Sequence, residues 1–276
     1  MAHAARKLSA IVTFIIFFTI SAFADDRRYV ELVLDAASPA TTNEIVEVDL
    51  QLVLAVDASS SMKAPERELQ RDGYVKAFRN PEFIGAIRLG RLKRIAVTYF
   101  EWSDKDAWNV VMPWTLIDSE WGALEFANVL AEKSVGDGKD GTSIAKALGF
   151  AGTLFDNSGF MSSRMVVDVS GDGVNQGGGL LAIRDVLINR GITINGLPIL
   201  LAPDIPDEAL ADYYRYCVIG GMGSFMVAIR DRTEFVEATR QKLVAEISQL
   251  QWPDTESTHL PIVFVSSNPA KYPDCG

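Results

Sequence analysis

Asp57, Ser59 and Ser61 stand in "VLAVDASSSM", where four apolar residues run straight into a carboxylate and a cluster of hydroxyls. Two more oxygen-bearing side chains occupy comparable places. Thr142 lies in the glycine-rich "VGDGKDGTS" ahead of a helical run, and Asp172 lies in "SGDG" after a run of β-branched residues. All five offer oxygen, and none offers nitrogen or sulfur. Oxygen-only donor sets select hard cations, Mg²⁺ first, with Mn²⁺ and Ca²⁺ as competitors. Mg²⁺ takes about six oxygens at ~2.1 Å and usually keeps several waters, which suits a few hydroxyls and carboxylates. Two carboxylates offset the charge of a divalent ion. If one of them acts through water, the neutral hydroxyls leave the ion able to attract a carboxylate from outside. Each part also has an ordinary use alone: Asp and Ser after a strand cap helices, Thr142 can be an N-cap, and Asp172-Gly173 can be a turn. What points to a cation is the three together, each at a strand end or a helix start.

The elements that must position these residues alternate along the chain. "VDLQLVLAVD" predicts a strand ending at Asp57, and "APERELQRDGYVKAFRN" an amphipathic helix with its charges outward. Ser61 is expected at the start of that helix, where backbone N–H groups favour negative charge. "KRIAVTYFEW" and "NVVMPWTLI" predict two neighbouring strands, and "SEWGALEFANVLAEK" a helix capped by Ser119. Further on come a helix over "IAKALGFAGTLFD", a strand over "RMVVDVSG", a helix over "GLLAIRDVLINRG" closed by Gly191 and a strand over "ITINGLPIL". A helix over "PDEALADYYRYC", a strand over "GSFMVAI" and a long helix capped by Asp231 complete the series. Aliphatic runs without strict alternation imply strands buried on both faces. The fold class expected is α/β, a doubly wound, mostly parallel central sheet flanked by helices, over residues 45–250. In such a sheet the ligand site lies outside the carboxyl ends of the strands, where all five oxygen-bearing residues fall.

D-A-S-S-S at 57–61, G-T-S at 141–143 and G-D-G at 171–173 resemble the metal-ion-dependent adhesion site of von Willebrand factor A domains. The resemblance covers the order of strands and helices over residues 47–250. It implies a Rossmann-like von Willebrand factor A fold, with Asp57, Ser59, Ser61, Thr142 and Asp172 as ligands of Mg²⁺ and an acidic side chain of a partner completing the shell. The chain further resembles a group of exported bacterial proteins built on this domain, through "YFEWS", "PWT" and "YCVIGG". One departure is Gly171, where many relatives carry Thr before the Asp-Gly. Asp137 and Asp140 could add charge near the ion, but are expected to face water.

The rest of the sequence bounds the function. Arg6 and Lys7, the apolar "LSAIVTFIIFFTISAFA" and Ala22-Phe23-Ala24 predict a cleaved secretory signal over residues 1–24, cut after Ala24. Residues 25–44 read as a lead-in with an edge strand at "YVELVLD", and 251–276 as an irregular, proline-containing tail. The expected location is periplasmic or secreted, with no stable membrane insertion after cleavage. The remaining chain carries 24 basic against 36 acidic residues, which excludes nucleic acid and anionic membrane surfaces as partners. Cys217 and Cys275 could form one disulfide in an oxidising compartment, or be two buried thiols. Trp102, Trp108, Trp114 and Trp121 could rim a recognition surface, with Trp114 expected in the core or under a loop. "CVIGGMGSF" lacks the Lys-Ser/Thr of a phosphate loop and reads as a turn.

Three functions fit. The leading one is a non-enzymatic binding module for a protein presenting an Asp or Glu to the ion, with the loops over 58–64, 136–142 and 173–179 setting specificity. A metal-assisted hydrolase is disfavoured, because only His259 remains after the signal and there is no G-x-S-x-G elbow. The third is a structural envelope protein in which the ion only stiffens the loops.

Overall fold

The computed structural model describes residues 45–103, 108–136, 138, 141–201, 206–248, 262–264 and 274–275. The signal segment, the lead-in with "YVELVLD", Asp137, Asp140 and His259 lie outside them.

The mainly aliphatic runs form the expected strands. In chain order the elements are β1 (Val46–Glu47), β2 (Leu50–Asp57), α1 (Ala64–Phe78), α2 (Pro81–Arg88), β3 (Ile95–Trp102), β4 (Trp108–Ile117), α3 (Glu120–Glu132) and α4 (Ile144–Leu154). They continue with β5 (Phe160–Met161), β6 (Met165–Gly171), α5 (Leu180–Asn189), β7 (Ile192–Pro198) and α6 (Asp207–Tyr213). A π-helical turn (Tyr214–Val218), β8 (Phe225–Val227), a 3₁₀ turn (Arg232–Glu234), α7 (Phe235–Ser248) and β9 (Ile262–Phe264) follow. β1 and β5 make a small parallel pair of their own.

The main sheet has seven strands in the order β4-β3-β2-β6-β7-β8-β9. β3, β2, β6, β7 and β8 are parallel, and the two outermost strands, β4 and β9, pair antiparallel. β2 is flanked by β3 on one side and β6 on the other, so the winding reverses between β2 and β6. Residues Leu50, Leu52, Leu54 and Val56 of β2 join one core with Tyr74, Phe78, Phe83, Phe126 and Phe235. Val53 and Ala55 face the other, with Ile144, Leu148, Leu180 and Leu187. Strict alternation of the strand's faces thus feeds two helical layers.

Several details differ from the expectations. α2 is an additional helix, opened by Asn80, whose Oδ1 accepts from Glu82 N at 2.8 Å, with Pro81 at the first helical position. α1 does not keep all its charges outward: Arg71 and Glu66 are buried. Part of the C-terminal segment is not irregular, because Ile262–Phe264 pairs with β8. Among the tryptophans, Trp102 is buried rather than at a rim, Trp108 and Trp121 are exposed. Trp114 is half-buried, its Nε1 donating to Leu154 O at 2.9 Å. Near the middle of edge strand β4 the register with β3 shifts, next to Pro113, and Thr98 Oγ1 donates to Met112 O at 2.8 Å. Cys217 and Cys275 form a disulfide. Among the described residues no helix is long and apolar enough to cross a membrane.

Candidate metal centre

Asp57 is the last residue of β2, paired in register with Trp102 of β3, and its carboxylate forms the floor of the centre. The chain turns immediately, because Ser59 N donates to Asp57 Oδ1 at 2.7 Å, the short-range Asp turn that ends a strand. That turn brings the hydroxyls of Ser59 and Ser61 within 2.9 Å of each other. Ser61 Oγ in turn donates to Asp172 Oδ1 at 2.7 Å. Asp57, Ser59, Ser61 and Asp172 therefore form one hydrogen-bonded chain across the switch point between β2 and β6.

Burial grades from floor to mouth. Asp57 and Ser59 are buried, as is Asp172, while Ser61 is exposed. Ser61 does not start the helix: it sits in the turn before α1, three residues ahead of Ala64. It reaches Asp172 rather than the helix amides.

Thr142 arrives from the other side of the opening. Its Oγ1 lies 3.5 Å from the β-carbon position of Gly173, next to Asp172. It does not cap α4; Ser143 does, accepting from Lys146 N at 3.4 Å. The loop after β6 clamps Thr142 in place. Gln176 N donates to Thr142 O at 2.7 Å, and Thr142 N donates to Gln176 Oε1 at 3.4 Å. Asn175 Oδ1 accepts from Ala145 N at 2.9 Å, and Asn175 N donates to the Tyr213 hydroxyl at 3.2 Å. All five residues singled out in the sequence thus sit at the carboxyl end of the sheet around one opening. Asn175 and Gln176 were not singled out, although two consecutive amide side chains one residue after G-D-G were a usable signal.

A second support was also missed. Arg71 forms a buried ion pair with Glu101, the glutamate of "YFEWS", and donates to Leu130 O at 3.2 Å and Lys133 O at 3.1 Å. Glu101 Oε2 accepts from Gly136 N at 3.3 Å. The β-carbon position of Gly136 is 3.9 Å from Ala58 Cβ, so this pair ties the segment leading to Thr142 against the Asp57 turn.

The electrostatics ask for positive charge. Burial, then repulsion from Asp172, pushes the Asp57 carboxyl up to about 7, with its Ser59 contacts pulling the other way. Burial also raises Asp172, opposed by the bond from Ser61 and reinforced by Glu66. Asp57 Oδ2 is inaccessible and accepts no hydrogen bond. Among the described residues no group of three or more His, Cys, Asp or Glu side chains is placed to hold a metal ion. The donor set is therefore two carboxylates and three hydroxyls, which fits a hard divalent ion and would suit a soft one poorly.

Solved structures with the same fold include proximal thread matrix protein 1 from the mussel byssus with a zinc-occupied MIDAS motif. It is 12% identical with a TM-score of 0.53, over 74% of this chain and 49% of that one. A von Willebrand factor type A protein from Catenulispora acidiphila is 16% identical with a TM-score of 0.50, over 74% and 48%. The pilus adhesin SpaC from Lactobacillus rhamnosus GG is 13% identical with a TM-score of 0.52, over 72% and 30%. The match spans about half or less of each of those chains. No curated protein matches. The fold is that of von Willebrand factor A domains, and, with its family model matching residues 47–251, the chain belongs to the family described as "Protein of unknown function (DUF1194)".

Proposed function

We propose that this chain is an exported, divalent-cation-dependent protein-binding module without catalytic activity of its own. Asp57, Ser59, Ser61, Thr142 and Asp172 would hold Mg²⁺, with Mn²⁺ or Ca²⁺ as substitutes, and an Asp or Glu of a partner protein would complete the shell. The observation that carries this reading is the hydrogen-bonded chain from Asp57 through Ser59 and Ser61 to Asp172, with two repelling carboxylates and an unpartnered buried oxygen at its floor. The zinc-occupied motif of the mussel protein lends support to a divalent ion at this place in the fold. Bound there, the ion would supply an electrophilic position for a carboxylate. The protein's own part is to orient the five oxygens and to keep Thr142 and Asp172 from parting, through Gln176 and Asn175. The secretory signal read from residues 1–24 supports a periplasmic or secreted location.

The test uses arrayed peptides that differ only in whether one Asp or Glu is replaced by Ala. The chain should be retained on the acidic member in Mg²⁺ or Mn²⁺, and released by EDTA or by the Asp57→Ala/Asp172→Ala double substitution. Equal retention in excess chelator rejects the proposal.

A further inference from the structure

Tyr214 is fully buried, and its hydroxyl is one of the few inaccessible side-chain oxygens among the described residues with no hydrogen-bond partner. Buried phenols normally find one, because a polar group taken out of water and left unpaired is costly. Asp57 Oδ2 and Trp102 Nε1 are also unpartnered at this end of the sheet. The Tyr214 hydroxyl and Asp57 Oδ2 crowd the same residue. A β-carbon on Gly171 would lie 2.7 Å from Asp57 Oδ2 and 2.9 Å from the Tyr214 hydroxyl, closer than such atoms approach. The glycine where the sequence departs from the adhesion-site pattern therefore has a local reason: two oxygens have moved into the space a side chain would fill. One oxygen is an acceptor that lacks a donor, and the other carries a proton that lacks an acceptor.

The delivery of Tyr214 is built into the fold. Its ring edge lies 3.0 Å from the β-carbon position of Gly196 on β7, so a second small residue makes room for it. It opens the π-helical turn, in which Ile219 N donates to Tyr214 O at 3.0 Å. Such turns are rare and often mark functional positions. The same turn holds Cys217, bonded to Cys275.

We propose that Tyr214 is a positioning residue of the metal centre: its hydroxyl, unpartnered over Gly171 as Asp57 Oδ2 is, is the donor that would engage that oxygen and so fix the carboxylate that faces the cation. This rests on the cation-binding reading above. Groups that orient a ligand in this way are typically worth about 10–100-fold in metal affinity. Tyr214→Phe removes one unpartnered oxygen and keeps the buried ring, so the fold is retained.

Two measurements decide it. The first is calorimetric titration of Mn²⁺ into the wild type and Tyr214→Phe, where the variant should bind about tenfold or more weakly. The second is a chelator-only cycle of Tyr214→Phe, Asp57→Asn and the double variant by urea unfolding. A linked pair should give a double shift clearly different from the sum of the single ones. Unchanged Mn²⁺ affinity in the variant beside a wild type that binds overturns Tyr214's role alone, as does an additive cycle. A wild type that takes up no cation overturns the metal reading and Tyr214's part in it together, and a non-additive cycle would then leave only a hydroxyl–carboxylate contact.

Discussion

Ser61 donates to Asp172 across 111 positions of sequence, at 2.7 Å, and this one bond closes the gap between the turn after β2 and the loop after β6. A ligand that binds only the folded state stabilises it by mass action, by about 2.7 kcal/mol at a hundredfold excess over its dissociation constant. For a domain of this size that is a rise of roughly 5–10 °C in melting temperature. Mg²⁺ or Mn²⁺ should produce it in the wild type, and Asp172→Asn should abolish it. Differential scanning fluorimetry with and without EDTA makes the comparison.

Arg71 and Glu101 are both buried, so removing one strands the other's charge. Glu101→Gln should cost about 3–5 kcal/mol in unfolding free energy. Replacing both, as Arg71→Met/Glu101→Leu, should cost less than the single change. The support they give the segment before Thr142 predicts weaker cation binding in both variants, read by titration calorimetry on protein shown to be folded.

Stability should fall as pH rises through neutrality. Beneath the sheet Lys242 is buried against Asp168 and Glu246, with Asn195 Nδ2 donating to Glu246 Oε1 at 3.1 Å. One ammonium cannot compensate two buried carboxylates. Burial, then Asp168, push the Glu246 carboxyl up to about 7, against the pull of Lys242. Its folded value is thus above its unfolded one, so its contribution is complete at acid pH below the unfolded value and lost as pH climbs through about 7. Urea unfolding in EDTA at pH 5 to 9 should show that decline, flattened in Glu246→Gln.

The bond between Cys217 and Cys275 closes a segment with a sequence separation of 58. On chain-entropy grounds the paired Cys217→Ala/Cys275→Ala substitution should cost about 4 kcal/mol. Urea unfolding of oxidised wild type against the double variant measures it, and wild type with reductant should match the variant.

What the sequence made legible was whatever depends on local pattern. β2 and β6 stood out as mainly aliphatic runs, interrupted by Gln51 and Asp168, and the five oxygen-bearing residues fell at strand ends because the ligand side of a parallel sheet follows from its winding. α2 was passed over although Asn80-Pro81 is a helix start, because only eight residues follow it. β9 is three residues whose pairing depends on β8 alone, and its composition carries no such signal. The π-helical turn was invisible, since a five-residue hydrogen-bond spacing leaves no hydrophobic period. Lys242 and Glu246 have the spacing of a solvated surface pair, and only the packing of α7 against the sheet puts them inside. Arg71 misled for the same reason.

The rims of the sheet also bear on how the molecule behaves in company. An outer strand with free N–H and C=O groups is a template on which another chain can add itself. β4 holds that position, and Pro113, which has no N–H to offer, sits within it beside the shifted register opposite Thr98. Proline and a bulge are two of the ways an edge refuses a neighbour. Many copies held close together would therefore resist fusing into fibrils along the β4 edge.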